Sequence, residues 1–382
     1  MTLKVVPLSS PASHRRGKGI HSQAPIHGFS PTGDGTMGNA APPLTRMPVF
    51  DRVAPIDRLT NEFRGSSLMP TPFAICRDGE PVPEGLKGSV AAIGNFDGVH
   101  RGHQHLLSMA LASGRPAAVV TFEPHPRTFF QPDRPLFRLT PEPVKLAIFA
   151  RLGLAGVFLR RFDGDLARLT AAGFVDLLAR ELQLSGVVIG HDFHFGRGRE
   201  GNPERMAELC RGRGLDCLVA PAVVEGTEPV SSSAIRAALE AGEIGTANRL
   251  LGYCWFVRSP VLHGDKRGRV LGYPTANMRL PDDSRLRHGI YAVRASVGGR
   301  LVDGVASFGR RPTFDNGAPL LEVHLFDFAG DLYGRTLDVE FVGWIRGEER
   351  FDGIEALVAQ MDRDSLEAKL MLSEDRTVSM IG

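Results

Sequence analysis

From Ser89 onward, short apolar runs alternate with stretches of helical period. Ser89–Phe96 is an apolar run with a glycine near its end and reads as a buried strand. A helix is predicted to open near His100 and run through Leu106 and Leu107 to Ser113, with a strand over Ala117–Phe122 after it. Thr140 is placed to cap a helix over Glu142–Leu152, with Pro141 at its first position. Gly156–Leu159 reads as a strand and Thr170 as the cap of a helix reaching Leu182. Gly186–Gly190 is the fourth strand, Pro203–Arg211 a helix and Cys217–Val224 the fifth strand. Strands that are apolar throughout are buried on both faces, so this alternation predicts a parallel sheet covered by helices on both sides.

The texture changes after Leu250. Val257–Leu262, Gly289–Val297, Arg300–Phe308, Leu320–Phe328 and Thr336–Trp344 read as strands separated by turn signals, and Leu321, Val323 and Leu325 show a period of two. Only Gly353 to Met371 looks helical. This pattern predicts a small all-β domain, a barrel, closed by a C-terminal helix.

Composition narrows the class. The 382 residues are 42% hydrophobic and 23% charged, a length for two domains with room for a third at roughly 100–200 residues each. With 45 basic and 43 acidic side chains, nothing calls for nucleic acid or a membrane surface as a partner. Cys76, Cys210, Cys217 and Cys254 have spacings no common zinc site uses and read as reduced cytosolic thiols. The best membrane-span candidate, Leu146–Leu159, is broken by Arg151 and two glycines. These features exclude disordered, fibrous, disulfide-stapled and membrane-spanning classes. No pattern along the chain speaks to oligomeric state.

The first 68 residues differ. They hold 8 Pro, 7 Gly and 7 Ser, and their 8 basic side chains face 4 acidic ones, against 37 and 39 in the remainder. Ser9 to Pro48 has no sustained hydrophobic period and reads as disordered. A basic, acid-poor start around His14–Lys18 fits a transit peptide, and Met69, just before the globular pattern, fits an alternative first residue.

Two constellations carry chemistry. The first is the string Gly94-Asn95-Phe96-Asp97-Gly98-Val99-His100-Arg101-Gly102-His103, which follows the first strand and opens a helix. In open α/β sheets ligands bind at the carboxyl ends of strands, and a helix N-terminus there offers N–H groups to phosphate. Gly102 permits close approach of an anion, and His100 and His103, three apart, can both donate to its oxygens. The bland alternative is a helix cap and a surface histidine. Farther along, Ser231-Ser232-Ser233-Ala234-Ile235-Arg236 at another helix start makes a second anion cradle, where an ordinary cap would account for only one serine.

The second constellation runs from His263 to Asn277. Gly264, Gly268 and Gly272 allow a loop to wrap a phosphate, and Lys266 and Arg269 bring positive charge. The string lacks the ending of a P-loop. Thr275 and Asn277 place oxygens two apart on one face of an extended segment, a donor set that suits Mg2+ bound together with nucleotide phosphates. A Pro-Thr-Ala-Asn string by itself is a simple turn.

The two helix-start motifs resemble those of the nucleotidylyltransferase superfamily. With Thr121-Phe122-Glu123-Pro124-His125-Pro126, Phe137-Arg138-Leu139-Thr140 and Gly190-His191-Asp192-Phe193-His194-Phe195-Gly196, the chain is similar to the bifunctional prokaryotic riboflavin kinase/FMN adenylyltransferases, also called FAD synthetases. The second constellation resembles their kinase motif, and Gly304–Phe314, Leu321–His324 and Asp331–Gly334 match further family segments. The likeness runs in order from about Pro72 to Leu370.

This resemblance implies a Rossmann-like nucleotidylyltransferase domain over 69–248 and a six-stranded Greek-key riboflavin-kinase barrel with a terminal helix over 249–382. It implies a cytoplasmic transferase that uses ATP and Mg2+ to turn riboflavin into FMN and FMN into FAD. In the first site His100 and His103 would steady the α-phosphate, with Ser232, Ser233 and Arg236 on the triphosphate and Gly94, Phe96, Asp97, Gly98 and Gly102 forming the nucleotide loop. Pro124, His125, Pro126, Asp192 and Phe193 would shape the flavin side, although His125 fits a structural loop histidine equally well. His105, on another helix face, reads as structural, and His191 and His194 lack a third ligand for a metal.

In the second site the resemblance makes Glu322 the base for the ribityl hydroxyl. It places Gly264, Lys266, Gly268, Arg269, Gly272 and Pro274 around phosphate, Thr275 and Asn277 on Mg2+, and Arg311 and Thr313 by the flavin. By alternation Glu322 faces away from Leu321 and Val323, where a glutamate is ordinarily just solvent-exposed. A chain beginning at Met69 is expected to keep both activities. One departure is Arg258-Ser259-Pro260-Val261, where the family commonly has a glycine at 259 or 260. Proline there predicts an edge or strand-start position.

Overall fold

The computed structural model describes residues 72–225, 228–263, 272–310 and 319–382. Six strands form its first sheet: β1 (Ala74–Arg77), β2 (Val90–Ile93), β3 (Ala117–Glu123), β4 (Gly156–Arg161), β5 (Gly186–Gly190) and β6 (Asp216–Ala220). Their order is β1-β4-β3-β2-β5-β6, and every pair is parallel. Strands β2, β3 and β4 step one way and β5 and β6 the other, so the order reverses between β2 and β5.

Successive side chains leave opposite faces of a strand. Ala91, Ile93, Ala118, Val120, Val187 and Ile189 enter one apolar cluster, while Ala92, Val119, Val157 and Val188 enter another. Both faces are therefore buried, which explains the unbroken apolar runs. Helices Arg101–Leu111, Glu142–Arg151, Ala171–Asp176 and Pro203–Arg211 fall where the periodicity predicts them. Thr170 caps the third, accepting from the Gly173 amide at 3.1 Å.

Two expectations are corrected here. A sixth strand, β1, lies at the sheet edge beside β4. The strand expected over Cys217–Val224 stops at Ala220, because Pro221 has no amide hydrogen to continue the ladder. Val224–Glu225 (β7) instead pairs antiparallel with Glu228–Pro229 (β8).

The second sheet comprises β9 (Phe256–Leu262), β10 (Ala276–Met278), β11 (Gly289–Val297), β12 (Arg300–Arg310), β13 (Pro319–Leu325) and β14 (Thr336–Arg346). It closes into a barrel in the order β10-β13-β12-β11-β14-β9. Strands β11, β12 and β13 pair in succession and β14 returns beside β11, which is the Greek key. Leu321, Val323 and Leu325 point into the interior core. The helix Ile354–Glu374 covers the outside, packing Ala368 and Leu372 against Ala292, Val305 and Phe326. Arg346 fastens it by a two-pronged bond to Asp364, at 2.8 and 2.6 Å.

Pro260 is a further correction. It is neither at a strand start nor on an edge strand, but the fifth of seven residues of β9 inside the closed barrel. Short β10 pairs only with Val261 and Leu262, so Pro260 has a registered partner, Thr336, on one side alone and its missing amide breaks no second ladder.

One apolar cluster spans both sheets. From the sheet face holding Val119 and Val157 it continues through Ile235, Leu239 and Leu251, then Tyr253 and Trp255, to Tyr291, Phe308 and Phe341 of the barrel. The expected division at 248/249 falls within the helix Ile244–Leu251. Among the described residues no helix is long and apolar enough to cross a membrane.

Candidate active sites

The loop after β2 lies beside the reversal in strand order, the usual crevice for ligands in such sheets. Phe96, Gly98 and Val99 have φ of 50°, 90° and 39°. Phe96 and Val99 hold these left-handed values against their side-chain preference because the surroundings pin the loop. The Gly98 amide donates to Thr140 Oγ1 at 2.8 Å, Tyr253 Oη donates to the Gly98 carbonyl at 2.6 Å, and Ser232 Oγ donates to the Asp97 carbonyl at 2.7 Å. Thr140 is thus not a helix cap. The helix Glu142–Arg151 starts after Pro141 with no side-chain cap, and the Thr140 hydroxyl serves the loop instead.

His100 caps the helix Arg101–Leu111, its Nδ1 accepting the His103 amide at 3.3 Å. The proton of its ring is therefore on Nε2. The His103 ring stacks on His100 at 3.7 Å and meets fully buried Phe96 at 5.0 Å. His103 Nδ1 is buried and has no partner among the described residues. Burial pushes the His100 pKa down to about 4, against the pull of Asp97, and pushes His103 well below the ordinary range, with His100 and Lys145 adding to the effect. Both rings are neutral at neutral pH, so each brings an N–H donor rather than a charge. Buried His105, on the same helix, is also lowered by burial.

The serine run opens the helix Ser232–Ala241. Ser231 caps it by accepting the Ala234 amide at 3.2 Å, Ser232 bonds the loop as above, and Ser233 is exposed. Arg236 donates from Nε to the Phe137 carbonyl at 2.7 Å and from Nη2 to Asp97. Asp97 is 1% exposed, accepts the Thr140 amide at 3.0 Å and lies 3.7 Å from Arg138 Nε. A Cβ added at Gly102 would sit 3.2 Å from the His100 ring, a tight contact, and 3.9 Å from the Val230 carbonyl, so the two helix starts adjoin. Two N-terminal dipole ends thus converge at one place.

Three charged residues here escaped sequence reasoning. Lys145 has no exposed surface, and its ammonium donates to Glu123 Oε1 at 2.7 Å and to Thr121 Oγ1 and the Asn95 carbonyl at 3.3 Å each. Arg138 grips both Glu123 oxygens at 3.0 and 2.8 Å. Burial raises the Glu123 pKa, but bonds from Arg138 and Lys145 outweigh it and hold the carboxyl below its usual range. Burial lowers the Lys145 pKa against the pull of Glu123. Three cations, Lys145, Arg138 and Arg236, meet the carboxylates of Glu123 and Asp97, and Asp283 also pulls on Arg138.

Pro124, His125 and Pro126 follow β3 on the same sheet edge. His125 caps the short helix Pro126–Phe130, accepting the Arg127 amide at 3.1 Å, and burial takes its pKa down to about 4. Asp192 and Phe193 follow β5, and the Phe193 ring stacks on Phe195 at 5.6 Å. Phe129 and Phe130, which sequence reasoning passed over, are 37% and 64% exposed. Their rings lie 5.2 Å apart, and 5.5 and 5.6 Å from Phe162. Adjacent exposed phenylalanines after a Pro-His-Pro turn were the available signal.

On the barrel, β10 registers Asn277 opposite Glu322 of β13, and β12 registers Ser307 opposite Glu322. Their neighbours Ala276, Met278, Leu321 and Val323 point inward, so these three share the outer face. Asn277 is nevertheless 6% exposed, and its Oδ1 is buried without a hydrogen-bond partner among the described residues. Thr275, half-buried, precedes β10; Gly272 (φ 83°) and Pro274 are exposed in the turn before it. A His324 ring nitrogen lies 3.0 Å from the Pro274 carbonyl, and Tyr273 donates its hydroxyl to Asp362 of the terminal helix. Sequence reasoning missed both supports. Gly264, Lys266, Gly268, Arg269, Arg311 and Thr313 lie outside the described residues. Among the described residues no three His, Cys, Asp or Glu side chains are grouped to hold a metal.

Comparison with known proteins agrees with this division of labour. A family profile described as FAD synthetase matches residues 82–234, and one described as riboflavin kinase matches 251–372. The bifunctional riboflavin kinase/FMN adenylyltransferase of Escherichia coli (strain K12) is 40% identical over 289 residues, which cover 74% of this chain and 92% of that protein. The protein of the same description from Bacillus subtilis (strain 168) is 37% identical over 296 residues, 75% of this chain and 93% of that one. A solved structure described as a macrolide-efflux protein from Streptococcus pneumoniae aligns with a TM-score of 0.67 and 29% identity, over 76% of this chain and 97% of that one. With one profile on the parallel sheet, the other on the barrel, and relatives matched over nearly their whole length, the chain belongs to the bifunctional riboflavin kinase/FMN adenylyltransferase family.

Proposed function

We propose that this chain builds FAD from riboflavin in two ATP-dependent steps at two separate sites. The barrel part phosphorylates riboflavin to FMN, and the parallel-sheet part adenylylates FMN to FAD with release of pyrophosphate. The observation that carries this reading is that two family profiles match separate parts of one chain, FAD synthetase over 82–234 and riboflavin kinase over 251–372. The adenylyltransferase is assigned to 69–248 and the kinase to 249–382, in a cytoplasmic enzyme.

In adenylyl transfer an FMN phosphate oxygen attacks the α-phosphorus of ATP, and the bond from that phosphorus to the bridging oxygen breaks. His100, through Nε2–H, and His103 donate to the α-phosphate oxygens where charge accumulates. Arg236, Ser233 and the adjoining helix starts, including the backbone N–H of Ser232, take the triphosphate, while the Ser232 hydroxyl holds the loop. Asp97 acts by holding Arg236 and, with Gly94, Phe96, Gly98 and Gly102, by shaping the loop. Phe129 and Phe130 offer exposed rings to the flavin beside Pro124, His125, Pro126, Asp192 and Phe193.

In the kinase step Glu322 accepts the proton of the terminal ribityl hydroxyl, whose oxygen attacks the γ-phosphorus while ADP leaves. Gly264, Lys266, Gly268, Arg269, Gly272 and Pro274 are assigned to the ATP phosphates, and Arg311 and Thr313 to the flavin. The buried Asn277 Oδ1, without a hydrogen-bond partner among the described residues, is a hard donor of the kind Mg2+ takes, so Asn277 and Thr275 would hold the ion. Bound there, Mg2+ would neutralise phosphate charge.

The test is incubation with riboflavin, ATP and Mg2+, with flavins resolved by chromatography. FMN is expected first and FAD after it. FMN without FAD would sink the adenylyltransferase assignment, and absence of both FMN and FAD would sink the kinase assignment.

A further inference from the structure

We infer that Tyr253 and Trp255, on the connector entering the barrel, are positioning residues for adenylyl transfer, each holding one of the two loops behind the nucleotide site. The inference rests on the adenylyltransferase reading above and goes beyond it. Both residues lie within the stretch matched as riboflavin kinase, 251–372, outside the FAD synthetase match.

Tyr253 is fully buried, and its hydroxyl donates to the Gly98 carbonyl at 2.6 Å. Gly98 is the middle member of the left-handed set Phe96, Gly98 and Val99. Such backbone persists only where its surroundings over-determine it. Thr140 holds the amide side of Gly98 and Tyr253 holds the carbonyl side. Burial raises the phenol's pKa, so it stays a donor at every working pH.

Trp255 acts on the second loop. Its indole N–H donates to the Leu139 carbonyl at 3.0 Å, and its ring meets Phe137 edge-on at 6.0 Å. Leu139 lies between Arg138 and Thr140, which engage Glu123 and Asp97, and two residues after Phe137, whose carbonyl takes Arg236 Nε. The two side chains therefore support the groups that orient His100, Asp97 and Arg236.

The connector is itself anchored to the barrel. Asn248 accepts the Trp255 amide and donates to the Phe341 carbonyl of β14, each at 2.9 Å, and the Phe341 amide donates to the Trp255 carbonyl at 2.9 Å. Gln104, on the helix that His100 caps, bridges the Val99 and Leu251 carbonyls at 2.8 and 2.7 Å. Asp283, also from the riboflavin kinase stretch, pulls electrostatically on Arg138. A continuous set of bonds thus runs from β14 to the nucleotide loop.

The experiment uses the full chain carrying Tyr253→Phe, which removes one hydroxyl and keeps the ring, and separately Trp255→Phe. The kcat and KM for FMN-to-FAD conversion are measured beside riboflavin phosphorylation and the thermal midpoint in the same preparations. Leaving a buried carbonyl unpaired and loosening the loop is expected to lower the FAD-forming kcat about tenfold in Tyr253→Phe. KM for ATP is expected to change less than kcat, and phosphorylation to stay at the wild-type rate. Unchanged adenylylation in both variants would overturn the inference. So would a parallel fall of both activities tracking a lowered midpoint, since that marks packing alone. Wild-type chain that forms FMN but no FAD would overturn the adenylyltransferase reading, and the inference with it.

Discussion

A lysine with no exposed surface stands behind the nucleotide loop, and its three hydrogen-bond acceptors come from Asn95, Thr121 and Glu123. In the sequence Lys145 is one polar position in a helical pattern. Its burial depends on partners scattered over two other segments, so no local period reveals it. His100 and His103 were legible because a loop, a cap and a helix start are contiguous. Thr140 was misread because its hydroxyl can cap a helix or bind a distant amide, and Gly98 takes it. His103→Ala is expected to stop FAD formation and leave FMN formation intact; loss of both would count against independent sites. Two buried groups also set opposite pH trends. His100, neutral when folded, contributes stability that is complete above pH 6.5 and is lost as pH falls toward 4, at up to about 1.4 kcal/mol per unit. Glu340, raised by burial to about 7, contributes stability that is complete below its ordinary value of 4.5 and is lost as pH rises through 7. Glu340→Gln should therefore make the thermal midpoint fall more steeply than wild type between pH 7 and 5; an equal slope would refute the offset.

Whole elements were readable in proportion to their length and the burial of both faces. Strands β2 to β5 announced themselves as apolar runs. β1 has four residues with only Cys76 buried, and β10 has three, too few for any period to show. Yet β10 brings Asn277 into register with Glu322, a pairing that no reading of separate motifs supplies. The alternation in β13 correctly turned Glu322 away from Leu321 and Val323, although it could not say what stood opposite. Thr275 sits at the entry to β10, so Thr275→Ala should block FMN formation while added FMN still becomes FAD. A variant that phosphorylates riboflavin normally would remove Thr275 from the Mg2+ and phosphate assignment.

Across the molecule, the sequence divides into a parallel α/β part and a barrel, and it conceals how thoroughly these are joined. The expected boundary at 248/249 is the interior of a helix, and one apolar cluster runs from the sheet face to the barrel lumen. Cores of this continuity favour a single cooperative transition. Heating should therefore remove kinase and adenylyltransferase activities with one midpoint; midpoints several degrees apart would show two units melting separately.

That common core has a consequence for how the enzyme fails. If sheet and barrel lose their packing together, a partly heat-damaged sample contains intact chains and dead chains, with few that retain one trade and not the other. The ratio of the two rates would then stay constant while both decline. Damage would slow the whole route from riboflavin evenly, and the half-finished flavin would not pile up behind a broken second step.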